Sequence, residues 1–388
     1  MVLFVQALNV VGDVAVAAAL ARTLFFEVPV GQARTKIGLY LLVAFVPYAL
    51  LASLVAPIFA RRNGGYGAGI VASHVGRALL ASLLIPQLGG SLLYPLGFGL
   101  LALSRVHSVS RNSLLPELLG PDGDLLQANS AVAVVSGAAG LAGGGAAFAL
   151  AAVFGPAVPL LLAAAAFGAG SLAGLRLSPP RHDVADHAVT RRGAGWIAAP
   201  PTRRLVAALM AARASLGFTV MLVAFTLHGG ASDVEAAVAL GLLALGSGVA
   251  PFVAPLARRT LGTDLAIASV AALGIVAVAT SPVGGYTGIA VLAATVGFFA
   301  ALARLAFDTR VQDLLPERAR GGAYARYETV LQLGWTAGAA AGSLLGVSPA
   351  AGGYVVAAIA AGGLLVGQIL LGRPHALPSS ESEPVTGT

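Results

Sequence analysis

Apolar residues run through this chain in long blocks separated by short polar or Gly/Pro-bearing turns. A bilayer-spanning helix needs roughly 20 mostly apolar residues. By that measure the pattern predicts about twelve spans. In the first part they lie near 2–26, 36–60, 67–87, 91–115, 125–153 and 156–177. In the second they lie near 204–228, 233–257, 263–281, 286–309, 324–347 and 350–372. One internal segment breaks the pattern. Ser178–Arg204 carries Pro179-Pro180, His182, Asp183, Asp186, His187, Arg191-Arg192 and Pro200-Pro201. It reads as a solvated linker, and its His/Asp cluster as part of that linker rather than a metal site. The tail after Arg373 is Pro- and Ser-bearing and reads as disordered. The expected organisation is all-α: a six-helix bundle over 1–178, a linker over 179–203, a second bundle over 204–372 and a tail over 373–388.

The two bundles repeat one another. Leu114-Leu115-Pro116-Glu117 returns as Leu314-Leu315-Pro316-Glu317, an offset of 314 − 114 = 200. Ala56-Pro57-Ile58 before Arg61-Arg62 returns as Ala254-Pro255-Leu256 before Arg258-Arg259. Gly140 and Gly144 return as Gly338 and Gly342. Many secondary transporters are built from such internal repeats, with the substrate site between them.

Composition agrees with a membrane chain. Hydrophobic residues make up 57% and charged residues 10%, where a soluble chain carries about 25% charged residues. The net charge of +7 comes from Arg, with Lys36 the only Lys. It reads as positive-inside topology rather than as a nucleic-acid footprint. Arg61, Arg62, Arg111, Arg181, Arg191, Arg192, Arg203, Arg204, Arg258, Arg259, Arg318 and Arg320 fall in or beside every second loop. Both termini are therefore expected in the cytoplasm, with the chain multi-pass in the cell (inner or plasma) membrane. Met1–Val11 lacks a basic residue, so a cleaved signal peptide is not expected. With no Cys, thiolate chemistry and disulfides are excluded. No phosphate-cradling Gly-Lys-Ser/Thr loop appears, which argues against ATP-driven transport. No catalytic, metal or cofactor motif stands out, so an enzyme is not expected.

Two stretches carry a family resemblance. Arg111-Asn112-Ser113-Leu114-Leu115-Pro116-Glu117, with the later Asn129, resembles the segment between the fourth and fifth helices of major facilitator superfamily permeases in the bacterial drug and siderophore exporter branch. Phe307-Asp308-Thr309-Arg310-Val311-Gln312-Asp313 before the second Leu-Leu-Pro-Glu resembles its partner. The resemblance covers essentially the whole chain. It implies two six-helix halves that rock about a central cavity. The family's loop motif after the second helix is kept in the Arg61-Arg62 pair and Gly64-Gly65, while its usual Asp position holds Ala60. The resemblance makes Arg61, Arg62, Arg258, Arg259 and Asp308 candidates for a cytoplasmic latch, with Arg258-Arg259 pairing to Asp308. Exporters carry a Gly motif in the fifth helix; Gly137, Gly140, Gly143, Gly144 and Gly145 are present here and its Pro is not.

Ionisable groups at membrane depth are costly and usually functional or paired. Asp13 lies about eleven residues into the first span, ~16 Å deep at the helical rise, near the midplane of a ~30 Å core. Arg213 is at similar depth in the seventh span, and the repeat offset maps 13 onto 213. In the implied fold both face the cavity. Asp13 is the proposed proton carrier, and Arg213 moving nearer or farther would change which of its forms is favoured; the other reading is a static pair that orients the helices. Arg105 in the fourth span is a second partner for Asp13 or a contact for an anionic substrate. The other reading of Arg105 is a side chain that reaches the interface. Arg304 has Asp308 one turn away. Gln6 and Asn9 lie near the Asp13 face and would hold substrate or the carboxylate. His74 and Arg77, three apart in the third span, include a possible proton relay, although that helix is usually peripheral in the family. Phe218 and Phe225, with Phe298 and Phe299, would line an apolar pocket or pack. Gly334, Gly338, Gly342 and Gly346 form an every-fourth-residue ridge expected to meet a helix across the seam between halves.

The expected function is proton-coupled efflux of a small amphipathic or drug-like molecule by alternating access, by a monomer. An uptake permease or uniporter on the same fold, or a non-transporting membrane sensor or scaffold, are the alternatives. The expected partners are substrate, protons and the lipid bilayer, without nucleic acid or cofactor.

Overall fold

The computed structural model describes residues 1–25, 65–120, 123–177, 200–228, 233–315 and 317–371. The predicted second span, Arg61 and Arg62, nearly all of the linker and the tail lie outside the described residues. Eleven long helices are present among the described residues: α1 Val2–Phe25, α2 Gly65–Leu84, α3 Leu93–Leu119, α4 Leu125–Phe154, α5 Ala157–Gly174, α6 Pro200–His228, α7 Asp233–Leu261, α8 Leu265–Thr280, α9 Gly285–Leu314, α10 Glu317–Leu344 and α11 Gly352–Leu371. They correspond to predicted spans one and three to twelve.

Nine of these helices are long and apolar enough to cross a membrane. The two that fall short are α3 and α10, which carry Arg105, His107 and Arg111 and Arg326 and Glu328. The side chains are arranged in the membrane sense, apolar outward and polar inward. Leu79, Leu83, Phe148, Phe154, Leu172, Phe252 and Ile275 are exposed, while Gln6, Asn9, His74, Arg77, His107, Asn129, Gln312 and Glu328 are buried. A soluble protein would show the reverse. The chain is a multi-pass membrane protein.

Helix ends depart from the prediction where polar turns continue a helix. α10 starts at Glu317 rather than near 324, because Glu317–Ala323 is too polar to read as a span yet still helical. α6 starts at Pro200, a residue tolerated at a helix start, where its missing N–H has no intrahelical role. α3 runs through Pro116 to Leu119 and stops at Gly120, whose φ of 72° is the left-handed region that glycine adopts freely.

The sequence repeat is matched by a packing repeat. α1 lies against α4 and α5, and α6 lies against α10 and α11 in the same way. α2 with α3 and α5 corresponds to α8 with α9 and α11. The close contacts use glycine. A Cβ at Gly334 would lie 2.8 Å from the Met210 carbonyl oxygen, one at Gly342 2.7 Å from that of Phe218, and one at Gly338 would overlap the Ala214 carbonyl. The α10 ridge therefore meets α6 inside the second half, not a helix across the seam. Gly346 falls beyond the end of α10 and takes a φ of 56°.

The seam itself is made by α4 with α7 and α9 and by α3 with α10. Polar contacts cross it at the Arg-bearing end. Asn129 Nδ2 donates to Gln312 Oε1 at 2.7 Å, and Gln312 Nε2 donates to the Asn112 carbonyl at 3.1 Å. Asn129 also reaches Thr309 Oγ1 at 3.4 Å. Asp124 accepts from the backbone N–H groups of Leu126 and Gln127 at 2.9 and 3.0 Å, capping α4, and faces Arg258 across the seam at 3.7 Å. Losing such a cap costs about 0.5–2 kcal/mol, and an exposed ion pair adds about 0–1. Asp124→Ala should lower the thermal midpoint in detergent. Asp124→Asn should recover most of it, since Asn caps nearly as well. Equal losses in both variants would mean that the ion pair, not the cap, matters.

Candidate functional site

The first half builds a buried polar network around α1. Asp13 forms an ion pair with Arg77 of α2, and Asn9, one turn away on the same face, bridges the two. Asn9 Nδ2 donates to Asp13 Oδ2 at 3.0 Å, and Arg77 donates to Asn9 Oδ1 at 2.6 Å. The Arg77 guanidinium also sits 3.9 Å from the centroid of the Phe167 ring, which covers it from α5. Arg77 is 1% exposed, whereas the Asp13 side chain is 38% exposed. The carboxylate therefore opens onto accessible space while its partner is sealed in. Arg105 of α3 lies within electrostatic reach of the pair.

One turn further along α1, Gln6 Nε2 donates to Ser136 Oγ at 2.8 Å, and its Oε1 is 3.2 Å from His107 Nε2. His107 meets His74 edge to face at 4.9 Å between ring centroids. His74 Nδ1 donates to the Ile70 carbonyl at 3.0 Å. Both imidazoles are fully buried.

The second half carries its own network. Arg304 Nε donates to Asp308 Oδ2 at 2.8 Å, one turn along α9, and Arg304 also pairs with Glu328 of α10. Tyr324 Oη donates to the Asp308 carbonyl at 3.1 Å. Arg213 and Arg105 both lie within electrostatic reach of Glu328, and Arg111 within reach of Asp308 and Glu328. Arg105 thus acts electrostatically on both networks.

Several expectations change. Asp13 is paired with Arg77 rather than Arg213, because the long Arg77 side chain reaches α1; Arg213 lies within electrostatic reach of Glu328. Arg258 pairs with Asp124 and, at 3.8 Å, with Asp313, while Asp308 is held by Arg304; Arg259 is exposed. Gln6 and Asn9 are both engaged by side chains. Phe218 is packed in a core with Leu222, Leu273, Leu292 and Val296. Phe225 lines a cavity of about 350 Å³, with Thr226, Tyr286 and Ser343 near the ends of α6, α9 and α10. Phe298 and Phe299 stack edge to face at 5.0 Å. Glu328 went unread in the sequence. Its signal was a carboxylate four residues inside a predicted span, masked by the polar turn before it.

Among the described residues, no three His, Asp or Glu side chains converge as a metal site would require. Likeness to solved structures decides the architecture. A bacterial homologue of the iron transporter ferroportin, in an outward-facing state, superposes with a TM-score of 0.71 over 95% of this chain and 97% of its own, at 18% identity. FucP, a major facilitator superfamily transporter in the outward conformation, matches with a TM-score of 0.64 over 95% and 98%, at 13% identity. The chain has the major facilitator fold. The human organic anion transporter MFSD10 shares the major facilitator fold at a TM-score of 0.65 and 15% identity, over 95% of this chain and 97% of its own. No family model matches the chain. An uncharacterized protein of Mycobacterium leprae is 27% identical over 379 residues, covering 87% of this chain and 65% of the relative. An uncharacterized protein of Mycobacterium tuberculosis is 33% identical over 145 residues, covering 36% of this chain and 26% of the relative. The chain spans 65% and 26% of the lengths of these curated relatives.

Proposed function

We propose that this chain is a secondary active transporter that works by alternating access, couples flux to protons through Asp13, and exports a small amphipathic or drug-like molecule. The observation that carries the reading is Asp13. It is a carboxylate near mid-helix on α1, ion-paired on one side and 38% exposed on the other. Protonation removes the charge that holds Arg77 and weakens the pair, so proton binding and rearrangement of α1 against α2 are linked. The fold supports transport, since the solved neighbours named above are transporters.

The seam supports a conformational assignment. With the Arg-bearing ends taken as cytoplasmic, the Asn112–Gln312–Asn129 contacts and the Arg258–Asp124 pair close the inner side. That is the outward-open arrangement, with two rigid bundles over 1–178 and 204–372 rocking about the seam. In this reading the latch is made by the polar contacts of α3, α4 and α9 together with Arg258, which pairs with Asp124 rather than Asp308.

The test is flux in proteoliposomes loaded with a pH-sensitive dye, against a panel of drugs, siderophores and sugars. Substrate-dependent proton movement should appear in the wild type and vanish in Asp13→Asn. An Asp13→Asn variant with unchanged rate and pH dependence would sink the proton role. The sign of the substrate gradient that drives protons separates efflux from uptake.

A further inference from the structure

We propose that the cavity at the ends of α6, α9 and α10 is a binding site for a small uncharged aromatic molecule bearing an N–H or O–H donor, and that its occupant modulates the transporter without being carried. The modulator role rests on the transporter reading above; the site itself is testable without flux.

The chemistry of the walls sets the ligand class. A cavity of about 350 Å³ lies at the small end of ligand sites, about 300–1,000 Å³, and suits one ring or two fused rings. Phe225 and Tyr286 supply aromatic wall and Val347 apolar wall. At Gly346, which takes a φ of 56°, the wall is bare backbone, and a Cβ there would meet nothing within 4 Å. Two lining hydroxyls have their hydrogens already committed. Thr226 Oγ1 donates to the Leu222 carbonyl at 2.7 Å, and Ser343 Oγ donates to the Ala339 carbonyl at 2.8 Å. Each keeps only lone pairs for an occupant, so both act as acceptors and call for a donor. Ser343 is 3% exposed, so little water competes for it. Among the described residues, no acidic or basic side chain lines the cavity. A charged ligand would lie there without a counter-charge, at a cost that an uncharged donor avoids.

Position sets the role. The lining residues fall between Leu222 and Pro349, all within the second half. They sit at the ends of α6 and α10 remote from Arg203-Arg204 and Arg318-Arg320, and at the start of α9, remote from Arg304. With the Arg-bearing ends cytoplasmic, the cavity is on the outer side. Alternating access carries a ligand held between the halves. A ligand held inside one rigid half moves with that half and stays on the outer side. α9 and α10 are also seam helices, so their outer ends close on the first half when the inner side opens. An occupant wedged among those ends hinders that closure and favours the outward-open arrangement.

The probe is radiolabelled indole, with benzofuran as the same shape lacking the N–H, and benzylammonium and benzoate as charged rings. Equilibrium dialysis compares nanodiscs holding the intact chain with empty ones. Indole should bind saturably, one per chain, above the empty discs. Benzofuran should compete about threefold or more weakly, the worth of one hydrogen bond, and the charged rings more weakly still. The double variant Thr226→Val/Ser343→Ala should erase the preference for indole over benzofuran while both still bind, which a variant that merely loosens the fold would not do. Val347→Trp should fill the cavity and abolish binding of both at an unchanged thermal midpoint; if it fails to fold, the double variant decides. No saturable excess over empty discs overturns the site, the result expected if an acyl chain fills it. Benzofuran or either charged ring matching indole overturns the ligand class. Binding that survives in folded Val347→Trp overturns the location. In the proteoliposome assay, saturating indole should roughly halve substrate-driven proton movement in the wild type and not in Val347→Trp. Undiminished movement overturns the modulator role and leaves the site. No proton movement with any substrate fails the transporter reading and takes the modulator role with it, while dialysis still decides the site.

Discussion

Replacing Arg77 by Ala should unfold or strand the first half more readily than any other single substitution at the candidate site. Arg77 is sealed under Phe167 and holds Asp13 and Asn9 at once. Removing one partner of a buried pair costs about 3–5 kcal/mol. The Asp13 carboxylate is 38% exposed and can recover water, so the low end of that range applies. The lost cation–ring stacking adds to it. Arg77→Lys should fall between, because one ammonium cannot fork to both partners as the guanidinium does. The measurement is the thermal midpoint of wild type, Arg77→Ala, Arg77→Lys, Asp13→Asn and the double Arg77→Ala/Asp13→Asn in detergent. The double variant should recover part of the loss, since it removes the carboxylate left behind. A double variant as unstable as the sum of the singles would show that the pair itself contributes nothing beyond packing.

The second large effect is expected at Gly338. A Leu there would drive its Cβ into the Ala214 carbonyl and force α6 and α10 apart along their whole contact. Overpacking a tight interface costs about 1–3 kcal/mol, occasionally more, and here the obstacle is backbone, which cannot swing aside. Gly334→Leu and Gly342→Leu should follow with smaller losses. Gly145 on α4 is exposed and has open space around its Cβ position. Gly145→Ala should therefore be neutral or slightly stabilising, by the helix propensity gained. Yield of monodisperse protein in detergent and the thermal midpoint report both. A Gly338→Leu variant as stable as Gly145→Ala would mean that the ridge does not set the helix separation.

The architecture was largely legible because three different signals agreed. Span length, alternate-loop arginines and repeated Leu-Leu-Pro-Glu all pointed to one doubled helical plan, and the packing of α1 on α4 and of α6 on α10 repeats as the motifs do. The site was half legible. A carboxylate in an apolar helix is conspicuous, so Asp13 was found, and Asn9 with it. Its partner was not, because the repeat offset related Asp13 to Arg213 by position, while pairing depends on which side chain is long enough and aimed correctly. Arg77 stands in the sequence beside His74, on a helix that the family resemblance places at the periphery. The glycine ridge was legible as a close-packing surface, but spacing alone does not say which neighbour approaches it. The polar start of α10 drew attention away from Glu328 just inside its span, and the continuation of α9 past its apolar block hid the Gln312 contacts, since a helix need not end where its apolar run does.

Gln312 uses both ends of one uncharged amide on two different helices of the first half, α3 and α4. Neither helix can leave alone without stranding an amide end in a buried place, so this end of the seam cannot peel open helix by helix. Its opening should be all-or-none at this point. Because the amide bears no charge, that switch should be indifferent to ionic strength, while the neighbouring Arg258–Asp124 contact weakens as salt rises.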